Sequence, residues 1–275
     1  MMCQLPWMAI ILLLPVVICG IFGPLFVPHD PGAVNPDLSM RPPSWLEGAE
    51  RTYILGTDSL GRDVLSRVIV GARATLIVSL IGVFLAGTIG VFLGLISAYF
   101  GGWFDTVIMR AVDIQMSIPG TLLALLISAS LGAGLATVIA VITIVFWTQY
   151  ARVTRGETLS VKQRDFVAMA RVLGCPAKRI LRRHILPNII DSAFVVATLQ
   201  LGVAVMLEAA LSFLGLGVQP PSVAWGKMIA ESRLYIGTAW WLPVFPGLAI
   251  MLTVLGANLL GDWLRDRFDP KLRQI

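Results

Sequence analysis

The sequence predicts an all-α, polytopic membrane protein with six transmembrane helices, and three observations carry that reading. Hydrophobic residues make up 57% of the 275 residues and charged residues 13%, with a mean hydropathy of +0.83, whereas a soluble domain carries roughly 25% charged residues. The apolar segments run to about 20 residues, the length that crosses a hydrocarbon core of about 30 Å, and the chain holds about six of them with their connections. They are continuous instead of alternating with period two, which excludes a spanning β-barrel.

The first span falls at about residues 5–27. It has no basic n-region, exceeds the length of a signal-peptide apolar region and lacks a small-x-small cleavage site, so it is expected to persist as a helix. The connection at about 28–71 contains Pro42, Pro43, Trp45 and mixed charge, and is larger than joining two helices requires. The second span follows at about 72–100, closed by Gly101 and Gly102, and the third at about 105–131, closed by Gly132 and Gly134. The fourth covers about 135–150, the fifth about 189–216 with Gly215 and Gly217 near its end, and the sixth about 241–264. The chain thus divides into residues 1–71, a first helix with an external loop; 72–264, a membrane domain with a cytoplasmic loop at about 151–188; and 265–275, a cytoplasmic tail. Gly82, Gly87, Gly90 and Gly94 inside the second span read as close helix packing. Cys3, Cys19 and Cys175 share no ligand spacing and read as reduced, structural residues.

Orientation follows from the enrichment of cytoplasmic loops in Lys and Arg. Arg152, Arg155, Lys162, Arg164, Arg171, Lys178, Arg179, Arg182 and Arg183 gather between the fourth and fifth spans, and Arg265, Arg267, Lys271 and Arg273 follow the sixth. An even number of spans puts both segments and the amino terminus on one side, so both termini are expected to be cytoplasmic. In the outward segment, Arg41, Arg51, Arg62 and Arg67 are outweighed by Asp30, Asp37, Glu47, Glu50, Asp58 and Asp63. The net charge of +5 is therefore a topology signal and not a sign of nucleic-acid binding.

The basic loop has helical patterning. Phe166, Val167, Ala170 and Leu173 recur near i, i+3, i+4 and i+7, with Arg164, Asp165 and Arg171 elsewhere on the wheel, which predicts a short amphipathic helix at about 160–173. Gly174 is expected to end it in a left-handed cap and Pro176 to start a second helix, with Leu186, Pro187 and Asn188 turning the chain back into the membrane. Such an element either lies on the bilayer with its cations on anionic lipid headgroups or docks into a protein partner, and these residues leave both open. In the outward segment Gly56, Asp58 and Gly61 are turn formers and Arg62 with Asp63 can pair or cap.

Three signatures carry a resemblance. Ala168-Met169-Ala170, Gly174 and Leu186-Pro187 resemble the Glu-Ala-Ala, Gly and Leu-Pro positions of the coupling loop in ABC-importer permeases, with Ala168 standing where that family often has Glu. The run at 55–67 followed by Gly71-Ala72-Arg73, and the run at 211–221 with Trp225 and Gly226, are similar to segments of the peptide, dipeptide and nickel permeases. On these signatures the chain resembles the C-type half of a dipeptide or oligopeptide importer permease pair. The resemblance implies the ABC type I importer permease fold, a bacterial inner membrane, and a second homologous permease. It also implies one or two ABC ATPase subunits, gripped by a coupling helix made of Asp165, Phe166, Val167, Ala168, Met169, Ala170 and Arg171 with Gly174, Leu186 and Pro187. An extracytoplasmic substrate-binding protein would face Thr57, Asp58, Gly61, Arg62 and Asp63. Short peptides are the implied cargo, with nickel or another small solute as the alternative. A bulky residue at Gly174 or a charge at Ala170 would then uncouple transport and leave the fold intact.

Ionisable residues at membrane depth are functional candidates. Arg110 and Asp113 are spaced to neutralise each other, and Asp105, Asp191 and Asp262 fall near span ends. Glu208 alone looks deep; it is either a pathway residue, the one foothold for an ion-coupled secondary transporter, or a carboxyl hydrogen-bonded between helices. No catalytic residue, cofactor or metal site is expected. His29 and His184 fall on opposite sides of this topology, which disfavours a paired histidine site. Neither Gly-x-Ser-x-Gly nor a phosphate-binding Gly-rich loop with its Lys occurs, so any ATP hydrolysis belongs to other chains.

Overall fold

A computed structural model describes residues 6–268. Cys3, Lys271, Arg273 and the end of the expected tail lie outside those residues. The chain forms α1 (Trp7–Phe26), α2 (Val64–Phe100), α3 (Gly102–Met116), α4 (Gly120–Leu131), α5 (Leu135–Lys162) and α6 (Asp165–Val172). It continues with α7 (Ala177–Arg179), a π-helical stretch (Ile180–Ile185), α8 (Leu186–Phe213), α9 (Trp225–Ser232) and α10 (Trp241–Phe268). α1, α2, α5, α10 and the run Ala177–Phe213 are each long and apolar enough to cross a membrane, and the pair α3 and α4 makes a sixth when its 91° bend is taken within one span. The expected six spans are present on that reading.

Four segments differ from their sequence-based placement. α2 begins at Val64, not at residue 72, because Asp63 caps it by accepting from the Ser66 N–H at 3.0 Å, and Ser66 and Arg67 in its first turn are buried against the 27–63 loop and α9. The third span is not one helix. Pro119 supplies no N–H and its ring disfavours helical geometry at Ile118, so the chain breaks between Met116 and Gly120. α5 runs on past Tyr150 to Lys162 and carries Arg152 and Arg155 on the helix instead of in a loop. There Arg155 Nε binds Asp105 Oδ1 at 2.6 Å, and Arg152 Nη2 binds Asp113 Oδ1 at 2.8 Å. The partner of Asp113 is thus across on α5, where a long guanidinium reaches it, and not the neighbouring Arg110. Finally, the chain does not turn at Leu186 and Pro187. Pro187 cannot donate to the Arg183 carbonyl, and the helix widens into the π stretch just before it and continues as α8.

The bundle is held by small residues. α2 packs along α5 because Gly90 and Gly94 admit its backbone: a Cβ on Gly94 would stand 2.5 Å from the Ala151 carbonyl oxygen, and one on Gly90 would meet the Trp147 carbonyl. Lipid is as apolar as these helices, so close approach and dispersion, not water exclusion, drive their association. The main core lies between α2, α5 and α8, with Val78, Ile142, Phe146, Tyr150 and Leu211 buried in it. A second core gathers Val64, Trp225 and Trp241 at the end that carries the 27–63 loop.

Candidate functional site

At the basic end of the bundle, α6 stands out as a helix too short to hold its own conformation in water. It is tied down by one side. Val167 (0% exposed) and Ala170 (5%) pack on Leu95, Val161, Ile180, Ile185 and Ile189, contributed by α2, α5, the π stretch and α8. The opposite side is open: Met169 is 66% exposed, Val172 88% and Leu173 80%. Phe166 is half-exposed and lies 6.4 Å from the His184 ring.

Gly174 closes α6 at φ +73, with its N–H on the Arg171 carbonyl at 2.9 Å and the Cys175 N–H on the Ala170 carbonyl at 3.0 Å. This is the expected left-handed cap, and Pro176 starts α7 as expected. Around the base, Lys162 Nζ donates to the Ala98 and Tyr99 carbonyls at 3.0 and 2.7 Å, neutralising the carbonyl end of α2. Arg171 sits 5.6 Å over the Tyr99 ring. Lys178, Arg179, Arg182 and Arg183 line an open hollow of ≈ 510 Å³ between Pro176 and Pro187.

The geometry corrects two expectations here. Ala170 faces inward, so a charge there would be buried without a partner and would strain the fold itself. Leu173, assigned to the packed side, points outward with Val172. Asp165 begins α6, Ala168 follows Val167 on the helix, and Leu186 and Pro187 occupy the first turn of α8.

At the opposite end, Thr57, Asp58, Gly61, Arg62 and Asp63 are brought together, but as the inside of the loop. Thr57 is 0% and Asp63 2% exposed. Thr57 Oγ1 donates to the Leu38 carbonyl and accepts from the Arg41 N–H at 2.8 Å, and Trp241 Nε1 donates to its carbonyl at 3.3 Å. Gly61 has φ +73 and touches the Asn35 backbone, so no side chain fits there. Arg62 pairs with Asp58 (2.6 Å) and with Glu231 of α9 (2.9 Å), and Arg67 reaches Glu231 at 3.1 Å. The Arg62–Asp63 pair does not form; Asp63 serves as the cap of α2. Glu231, which ties this loop to α9, was not singled out from the sequence, and its distance along the chain from Arg62 left no local signal.

Glu208 is fully buried and accepts from Thr75 Oγ1 of α2 at 3.1 Å and from Ser212 Oγ at 2.7 Å. Ser212 Oγ in turn accepts from the Val218 N–H at 3.3 Å. Of its two readings, the carboxyl hydrogen-bonded between helices is the one the geometry supports. Among the described residues no group of three or more His, Cys, Asp or Glu is placed to hold a metal ion, and Cys19 and Cys175 are free thiols.

A cavity of ≈ 500 Å³ opens at the α3–α4 break, lined by Gln115, Thr121, Thr148 and Gln149 among apolar residues of α4, α5 and α8.

A family model described as binding-protein-dependent transport system inner membrane component matches residues 90–274. The chain is 43% identical over 264 residues to the di/tripeptide transport system permease protein DppC of Pseudomonas aeruginosa, covering 96% of this chain and 87% of that protein. It is 40% identical to the dipeptide transport system permease protein DppC of Haemophilus influenzae (96% and 90% covered). To the glutathione transport system permease protein GsiD of Pectobacterium atrosepticum it is 44% identical (82% and 75% covered). Among solved structures, the MetNI methionine ABC transporter in an inward facing conformation superposes with a TM-score of 0.59 at 21% identity, covering 73% of this chain and 96% of that one. That likeness shows the fold.

Proposed function

Since the chain belongs to the family of binding-protein-dependent transport system inner membrane components, we propose that it is one of two permease subunits of an ATP-driven importer of short peptides in the bacterial inner membrane. The observation that carries the mechanism is α6: a short helix anchored through Val167 and Ala170 that leaves Met169, Val172 and Leu173 exposed. An apolar tip on a rigid base suits insertion into a groove of a partner protein. The partner is an ABC ATPase, one or two copies of which supply the hydrolysis that this chain has no residues to perform.

The basic end is the cytoplasmic one, which makes both termini cytoplasmic. Lys178, Arg179, Arg182 and Arg183 lie beside the docking tip and hold anionic headgroups, so the lipid and protein contacts of this loop are neighbours and not rivals. The outward face, built on the interlocked Asp58, Arg62, Arg67 and Glu231, receives the substrate-binding protein. Asp58, Thr57, Gly61 and Asp63 shape that surface from within. ATP binding favours the closed ATPase pair, the α6 helices are drawn together, and the two permeases rock between inward and outward access. The differential affinity of ATP for the two states supplies the shift. Peptides are preferred over nickel because the relatives of known transport are peptide and glutathione permeases.

The test is mass spectrometry of what co-purifies in mild detergent with a tagged copy from its native membrane. A second permease and P-loop ATPases are expected. The chain alone, from a preparation that keeps other membrane complexes intact, would contradict the reading.

A further inference from the structure

The α3–α4 break lies deep in the membrane. Gln115 Nε2 donates to the carbonyls of Ile144 and Val145 at 2.5 and 3.3 Å, and Val145 stands ten residues along α5 from its start at Leu135. At 1.5 Å per residue that is about 15 Å, half of a hydrocarbon core of about 30 Å. Ser117, Ile118 and Pro119, which interrupt the helix, are exposed residues at this depth; the Ser117 and Ile118 N–H groups bond the Asp113 and Gln115 carbonyls at 3.1 Å, and the Pro119 carbonyl accepts from the Leu123 N–H at 3.1 Å. Irregular backbone at membrane depth occurs where it is buried in protein or borders water, not where it faces lipid.

The side chains around the break agree with water. Gln115, Thr121, Thr148 and Gln149 line the ≈ 500 Å³ cavity, a volume within the range of small-molecule sites, about 300–1,000 Å³. Trp147 Nε1 donates to Gln115 Oε1 at 2.9 Å, and buried Gln200 donates to Gln149 Oε1. These bonds hold both amides in place. Gln149 is nevertheless exposed, while α1, which is apolar around its whole circumference, has no such residue. None of the residues lining the cavity is ionisable.

We propose that this cavity is the stretch of translocation path contributed by this chain, closed by the second permease, and that Thr121 and Gln149 meet the passing solute, while Gln115, whose amide is taken up by α5, holds the break in place. An uncharged amide and a hydroxyl recognise the donors and acceptors of a peptide bond and not a net charge, which suits a carrier of peptides with varied side chains. Gln200 is a positioning residue behind Gln149. The inference rests on the importer reading above.

The test is thiol accessibility in the assembled importer. Gln149→Cys and Thr121→Cys are compared with Leu14→Cys on α1, each in a background with the native cysteines replaced, using a membrane-impermeant sulfonate methanethiosulfonate. Because reaction requires a thiolate and therefore water, both cavity positions are expected to react at least roughly tenfold faster than Leu14→Cys. Rates equal to that of Leu14→Cys, in complexes that retain their ATPase chains, would overturn the passage and leave the importer standing. Absence of ATPase chains from the same preparation would overturn the importer reading and the passage with it.

Discussion

Gly90 and Gly94 decide how closely α2 and α5 approach, and they can be changed one atom group at a time. A Cβ at Gly94 meets the Ala151 carbonyl at 2.5 Å and Thr154 Cβ at 2.9 Å, and backbone cannot yield as a flexible side chain would. Gly94→Ala is expected to destabilise the protein by about 1–3 kcal/mol, read as a lower unfolding midpoint in detergent. Gly156 on α5 has open space where its Cβ would be, so Gly156→Ala is expected to be neutral or slightly stabilising through helix propensity. Equal losses at the two sites would contradict the packing account. Glu208→Leu leaves the Thr75 and Ser212 hydroxyls without their acceptor and should cost about 1–3 kcal/mol. Uptake driven by ATP in proteoliposomes should be insensitive to a proton ionophore, and collapse on ionophore addition would restore the ion-coupled reading of that carboxyl. The depth of Glu208 was legible in the sequence because it interrupts an apolar run. Its partner on α2 was not, since Thr75 lies 133 positions away and only the packing of α8 on α2 joins them.

At the scale of one element, α6 separates what anchors from what is offered. Val172→Asp changes a side chain that is 88% exposed and should leave folding and membrane insertion intact while reducing recovery of ATPase subunits by roughly tenfold or more, the effect of a charge in a docked apolar contact. Ala170→Asp should instead lower the yield of folded protein, because it buries a charge without a partner. The reverse pattern would show that the inner side of α6 is the docking side. Gly174 and Pro176 announced the ends of this element because the conformations they favour are local. The buried side of the helix was not legible: residues 166–173 are apolar over most of the wheel, and the choice is made by Leu95, Val161 and Ile185 on three other segments. The break between α3 and α4 is the opposite case. Pro119 followed by Gly120 is a local signal, masked by hydropathy that stays high across it.

For the whole molecule, hydrophobic run length and the clustering of Lys and Arg were enough to read a six-span bundle with one basic end, since both follow from the solvent and not from the packing. The 27–63 loop was legible only as large and charged. Its interlock with α9 through Glu231 depends on a tertiary contact that composition does not encode. The central claim is that α6 is the seat of an ATPase. It is tested most directly by placing a photo-crosslinking amino acid at Val172 in native membranes, with the same group at Leu14 as a lipid-facing reference. The account predicts a Val172 adduct containing a P-loop ATPase, with no such adduct from Leu14. Lipid adducts alone from Val172, in membranes where the ATPase is present, would contradict it and return the basic loop to the bilayer surface.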